Sequence, residues 1–112
     1  MRIGKVALIV LLSIAFLGCR ESSTYRGHYT YGFEVSSFTP CGTSARWWAT
    51  GNTRSLHGVK PGRGRGPAET VYAEIRGIHR WPGLYGHLNR YFHKLTVKEV
   101  VVVRPKQPTD CS

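Results

Sequence analysis

Residues 69–81, ETVYAEIRGIHRW, change character with a period of two. Val71, Ala73 and Ile75 share one face, and Tyr72, Glu74 and Arg76 share the other. Successive side chains point to opposite faces only in an extended strand, so this segment is a half-buried β-strand. The same alternation runs through GHYTYGFEVSSF, where Tyr29, Tyr31, Phe33 and Val35 would form one apolar face. ARWWAT is a second short strand and its hairpin partner, with TPCG as the turn between them. KLTVKEVVVVRP is the last strand. Its first half alternates; Val100 to Val103 are apolar on both faces and read as central. No strong amphipathic helix and no internal repeat interrupt this pattern. Several strands and a small core predict an all-β domain: a small OB-like β-barrel of about five strands, since closure removes exposed edges. A β-sandwich is the alternative.

The chain begins differently. Arg2 and Lys5 precede a run from Val6 to Leu17 that is apolar except for Ser13. A dozen residues are too few to span a bilayer core, which needs about 20. A positive start, a short apolar run and a small residue before the cut describe an export signal. Phe16-Leu17-Gly18-Cys19 resembles the bacterial lipobox, although Leu is usual where Phe16 stands. The resemblance implies cleavage before Cys19 and acylation of its thiol and new N-terminus. Two or more acyl chains anchor stably, whereas one does not. Asp directly after the cysteine would signal retention in the inner membrane. Arg20 stands there instead, which implies the outer membrane, on its periplasmic face. The expected organisation is a signal peptide over 1–18, a lipid-anchored tether over 19–26 (RESSTYR after Cys19) and a barrel over 27–112.

With Cys19 assigned to lipid, the count of three cysteines leaves Cys41 and Cys111. An even pair in an oxidising compartment implies a disulfide. Closing so long a loop stabilises a domain by about 4 kcal/mol in the chain-entropy model. Neither cysteine lies in a CxxC pair or at metal-ligand spacing.

Further words in the chain carry a second resemblance. YTYGFEVSSFTPCG, RWW, VYAEIRG, YGHLNRY and LTVKEVVVVRP, followed by a late cysteine, resemble the C-terminal, OB-like domain of NlpE-type copper-homeostasis lipoproteins. The CxxC motif of those proteins belongs to their other domain and is missing here, so copper handling does not follow. Such domains often place a helix where this chain has GNTRSLHGVKPGRGRGPA. That stretch has no period and reads as a long loop with a helical turn near Thr53 to His57.

Chemistry-bearing patterns are sparse. Five histidines form no HxH or HExxH motif. No GxSxG is present, and nucleophilic catalysis needs a base beside its nucleophile. Glu99 shares a face with Leu95 and Val97 and, if that face is interior, needs an arginine partner. In GHLNRY, Gly86 suits an unusual backbone angle, and His87 and Tyr91 suit hydrogen bonds across a connector. The formal net charge is +10, and +8 remains without Arg2 and Lys5. Such a surface meets anionic headgroups, lipopolysaccharide phosphates or acidic polymers. The densest basic stretch holds Lys60, Arg63 and Arg65. Adjacent Trp47 and Trp48 must point to opposite faces of a strand, so one is core and the other is free, beside Arg46, to stack on a ligand.

These features predict a non-enzymatic, lipid-anchored envelope protein whose domain is a binding or interaction module. An alternative is a polyanion-binding module that takes lipopolysaccharide or a cell-wall polymer through Lys60, Arg63, Arg65, Arg46, Trp47 and Trp48. A small hydrolase is a third reading. The expected partners are the membrane, through Cys19, and an anionic envelope polymer or an envelope protein, with no specific nucleic acid. No cofactor and no metal are implied.

Overall fold

The computed structural model describes residues 22–57 and 68–112. Five strands close into a barrel: β1 (Ser23–Gly32), β2 (Val35–Pro40), β3 (Trp47–Gly51), β4 (Ala68–Arg80) and β5 (Lys94–Pro105). Their order around the barrel is β1-β2-β3-β5-β4, and β4 returns to β1. β3 and β5 run parallel, from Trp48 opposite Lys94 to Gly51 opposite Val97; every other pair is antiparallel. This is the OB-like all-β barrel the alternation predicts, and not a sandwich.

Inward residues of every strand make the core. Tyr29, Phe38, Trp47, Ala49, Val71, Ala73, Ile75, Leu95 and Val97 are buried together. Each large one contributes roughly 1.5–3 kcal/mol by leaving water. A 3-10 turn at Arg54–His57 lies in the segment read as a loop with a helical turn, and it inserts Leu56 into the same core. One short turn thus adds an apolar side chain to the core from within this loop.

Three strand assignments change. First, the run 27–38 is not one strand. Phe33 and Glu34 form a two-residue turn between β1 and β2, with Glu34 at φ 58° and Phe33 84% exposed. The turn lacks the Asn-Gly or Asp-Gly signature, and Phe33 continues the apolar alternation across it. Second, β1 starts at Ser23, inside the expected tether. Tyr25 packs edge-on against Trp47 at 5.2 Å, so residues 23–26 belong to the barrel.

Third, the alternation in β5 breaks twice. Its pairing with β4 shifts between Glu74 and Ile75 and between Arg76 and Gly77, which leaves Lys98 and Val101 as extra residues. A bulge of one residue flips the faces that follow. Val100 and Val103 therefore face the core, while Val101 is 53% exposed. The valine run is not a central strand. The same slip carries Glu99 to the outer wall, where it pairs with Arg76 at 3.0 Å. The expected arginine partner is present, but the pair is half-exposed rather than interior.

Candidate functional site

The connector between β4 and β5, residues 81–93, folds back over the outside of the barrel. Main-chain bonds between Tyr85 and Tyr91 tie its two limbs together. Its tip turns through Gly86, Leu88 and Asn89, all at positive φ. Gly86 has two reasons to be glycine: φ is 73°, and a Cβ would lie 2.4 Å from the indole of Trp48. Tyr91 packs on the same indole at 5.2 Å. Beyond the tip, the His87 imidazole meets the Glu34 carboxylate at 3.0 Å and fastens the connector to the β1–β2 turn. Gly86 takes the unusual backbone angle expected of GHLNRY and Tyr91 bridges the connector through its main chain, whereas His87 bonds outside the connector, to Glu34.

Between connector, turn and the β2–β3 loop runs a groove of about 610 Å³. Phe33 and Glu34 line one side, Ser44, Ala45 and Arg46 the floor, and Arg90, Tyr91, Phe92 and His93 the other side. Arg46 donates to the Tyr91 hydroxyl at 3.0 Å, with its guanidinium 5.4 Å from the ring centre. Tyr91 is a neutral partner, so Arg46 keeps its charge. Among the described residues, the ion pairs are His28 and Arg104 with Asp110, Arg76 with Glu99 and His87 with Glu34. Arg46 and Arg90 have no carboxylate among them. Phe33 and Phe92 stay largely exposed at the groove's edges. The groove therefore offers two arginines without an ion-pair partner among the described residues, with exposed aromatic side chains and one carboxylate, Glu34, that meets His87.

The sequence-derived residues distribute unevenly. Arg46 is in the groove. Trp47 is not available to a ligand: it is buried and stacks on His79 at 3.7 Å. Trp48 does point outward, but the connector covers it with Gly86 and Tyr91, so its face is already used. Cys41 and Cys111 form the disulfide, with Cα atoms 5.4 Å apart. Cys19, Lys60, Arg63 and Arg65 lie outside the described residues. Phe33, Arg90 and Phe92 were missed. No local motif marks them, because the groove exists only after the connector folds back.

Two polar clusters elsewhere are structural in their geometry. Inside the barrel, the Ser36 hydroxyl donates to the Ala49 carbonyl at 2.7 Å. Its proton is thereby committed, so the Tyr29 hydroxyl donates to Ser36 at 2.9 Å and His57 Nε2–H donates to Tyr29 at 3.0 Å. Burial pushes the Tyr29 phenol up and keeps that donor protonated. Serine, histidine and tyrosine meet here, yet the serine proton points at main chain and not at a base. At the opposite end, His79 Nε2 and His93 Nδ1 share a hydrogen bond of 2.8 Å. Burial first, and the neighbouring His93 second, push His79 below its ordinary value. Among the described residues, no three His, Cys, Asp or Glu side chains gather as a metal site would require.

No protein-family model, no curated protein and no solved structure matches the chain. The likeness to NlpE-type lipoproteins rests on the quoted residues alone.

Proposed function

We propose that the chain is a lipid-anchored envelope protein whose barrel acts as a non-enzymatic binding module for an extended anionic polymer. Acylated Cys19 would hold it at the outer membrane. The groove would take the ligand, with Arg46 and Arg90 meeting its anionic groups and Phe33 and Phe92 packing on its sugar or apolar faces. One observation carries this reading: two arginines without carboxylate partners sit between exposed aromatic rings in a preformed groove. The basic loop with Lys60, Arg63 and Arg65 would add long-range attraction rather than contacts of defined geometry.

The reading is tested by titrating the protein with lipopolysaccharide at several salt concentrations. Removing both groove arginines (Arg46→Ala/Arg90→Ala) should weaken binding by roughly 3- to 10-fold per arginine, the ~1 kcal/mol scale of an exposed charged contact. The salt dependence should flatten as well, because fewer counterions are released. Lys60→Ala/Arg63→Ala/Arg65→Ala should flatten the salt dependence with a smaller loss at high salt. Equal affinities and equal salt slopes for wild type and the groove variant would refute the groove as the ligand site.

A further inference from the structure

The base of the connector bears a second exposed surface, which adjoins the groove at His93. Trp81 is 65% exposed, and Leu84 is exposed to the same degree. Trp81 lies against His93, with ring centres 5.7 Å apart, and Leu84 adjoins the Tyr85–Tyr91 bridge. Arg80, also exposed, immediately precedes them. An exposed indole, an exposed leucine three residues on and an arginine one residue before it present apolar and basic groups within one short segment. It suits the headgroup level of a bilayer, where aromatic rings settle and basic residues meet anionic lipid.

Where the chain enters the barrel says which surface meets the bilayer. Ser23 pairs with Gly77, and β1 runs antiparallel to β4. Ser23, the first residue of β1, therefore lies level with Gly77, and β4 runs on from Gly77 towards Trp81 at that end of the barrel. Cys19 is four residues before Ser23, and Trp81 is four residues after Gly77. Four extended residues reach at most about 14 Å, and four strand residues rise about 13 Å. An acyl anchor at Cys19 would therefore tether the barrel within about 14 Å of Ser23, at the end that carries Trp81.

We propose that Trp81, Leu84 and Arg80 dock the barrel directly on an anionic bilayer, fixing its orientation beneath the lipid anchor. This rests on the anchoring of Cys19 in the reading above, and not on the groove arginines Arg46 and Arg90. Docking adds a second membrane signal to the acyl chains. It also sets the β1–β2 turn, at the other end of β1, away from the surface, so a polymer reaches the groove from the side.

The test uses the full lipidated protein in vesicles of phosphatidylethanolamine and phosphatidylglycerol, some carrying brominated acyl chains. Trp81→Phe isolates the Trp81 signal by difference from Trp47 and Trp48. The expected result is that brominated lipid removes most of the Trp81 emission and leaves the remaining emission nearly unchanged. Arg80→Glu should reduce that quenching, and Arg46→Ala/Arg90→Ala should leave it intact. Mass measurement of the same sample reads the state of Cys19. Acylated protein whose Trp81 is not quenched overturns the docking and leaves the anchor standing. Emission shifted to the blue without quenching places another protein surface on Trp81, and also overturns it. An unmodified Cys19 in membrane-purified protein overturns the anchor, and the orientation with it.

Discussion

Two irregular segments lie on the outside of the barrel, and they are held in opposite ways. The C-terminal tail, residues 106–112, is clamped. The Asp110 side chain is fully buried and accepts hydrogen bonds from the Gln107 main-chain N–H at 2.7 Å, from His28 at 2.8 Å and from Arg104. Arg104 also stacks over Tyr72 at 4.0 Å, and Arg26 donates to the Tyr72 hydroxyl. One residue further, Cys111 is bonded to Cys41. The connector, residues 81–93, covers Trp48, and among the described residues its ion pair is the half-exposed His87–Glu34 contact. It leaves Trp81, Leu84, Leu88 and Phe92 exposed. In the tail the Arg104 guanidinium meets a buried carboxylate, whereas beside the connector Arg46 and Arg90 meet none among the described residues. A segment that only closes a fold hides its apolar surface and satisfies its charges. The proposed function assigns the exposed aromatic rings and the two arginines beside the connector to a ligand.

The largest expected effect is on the tail. Cys41→Ala/Cys111→Ala should cost about 4 kcal/mol of stability in chemical denaturation. Lipopolysaccharide affinity should hold under conditions where the variant stays folded, because neither cysteine and no tail residue lines the groove. A matching loss of affinity would break the contrast between the two segments.

Asp110→Asn comes next. It leaves His28 and Arg104 facing a neutral amide and should cost about 2 kcal/mol. Burial pushes the Asp110 carboxyl up, but the hydrogen bonds from Gln107, His28 and Arg104, together with the charge of Arg104, bring it down to about 2 from an ordinary 3.8. A folded value below the unfolded one means that the unfolded chain binds more protons in that interval. Stability is therefore full above about pH 4 and is lost as pH falls towards about 2. Acid titration of Asp110→Asn should lack that component.

Gly86→Ala moves to the connector. The new methyl meets the Trp48 ring in a left-handed backbone conformation, so the tip must lift. The expected cost is about 1–2 kcal/mol. Affinity for the polymer should fall even though no charge changes, and tryptophan emission should report the uncovering of Trp48. The smallest effect is on a pair outside both segments. Arg76→Ala removes the half-exposed partner of Glu99 and should change stability by less than about 0.5 kcal/mol.

How far the sequence revealed this follows from what local pattern can encode. Period-two alternation found β4 completely, because Val71, Ala73 and Ile75 do face the core. Alternation failed wherever backbone geometry changed without a marker residue. Phe33 kept the period through a turn, and Lys98 and Val101 shifted it at bulges. The cysteine count led to the disulfide, since covalent pairing leaves few options. The two tryptophans were correctly set on opposite faces, but the cover over Trp48 comes from residues nearly forty positions later. Groove residues suffer most from this limit. Arg46, Arg90 and Phe33 become neighbours of one cavity only through tertiary folding.

The most direct test of the contrast is a charge-matched titration with lipopolysaccharide. Arg46→Ala/Arg90→Ala removes two cations from the groove. Lys98→Ala/Lys106→Ala removes two exposed cations from β5 and the start of the tail. Net charge falls equally in both, so long-range attraction changes by a similar amount. The account predicts that the groove variant loses roughly tenfold or more in affinity at physiological salt, while the control loses no more than about threefold. Equal losses would show that only total charge matters, and would contradict the claim that the connector side of the barrel is the binding face.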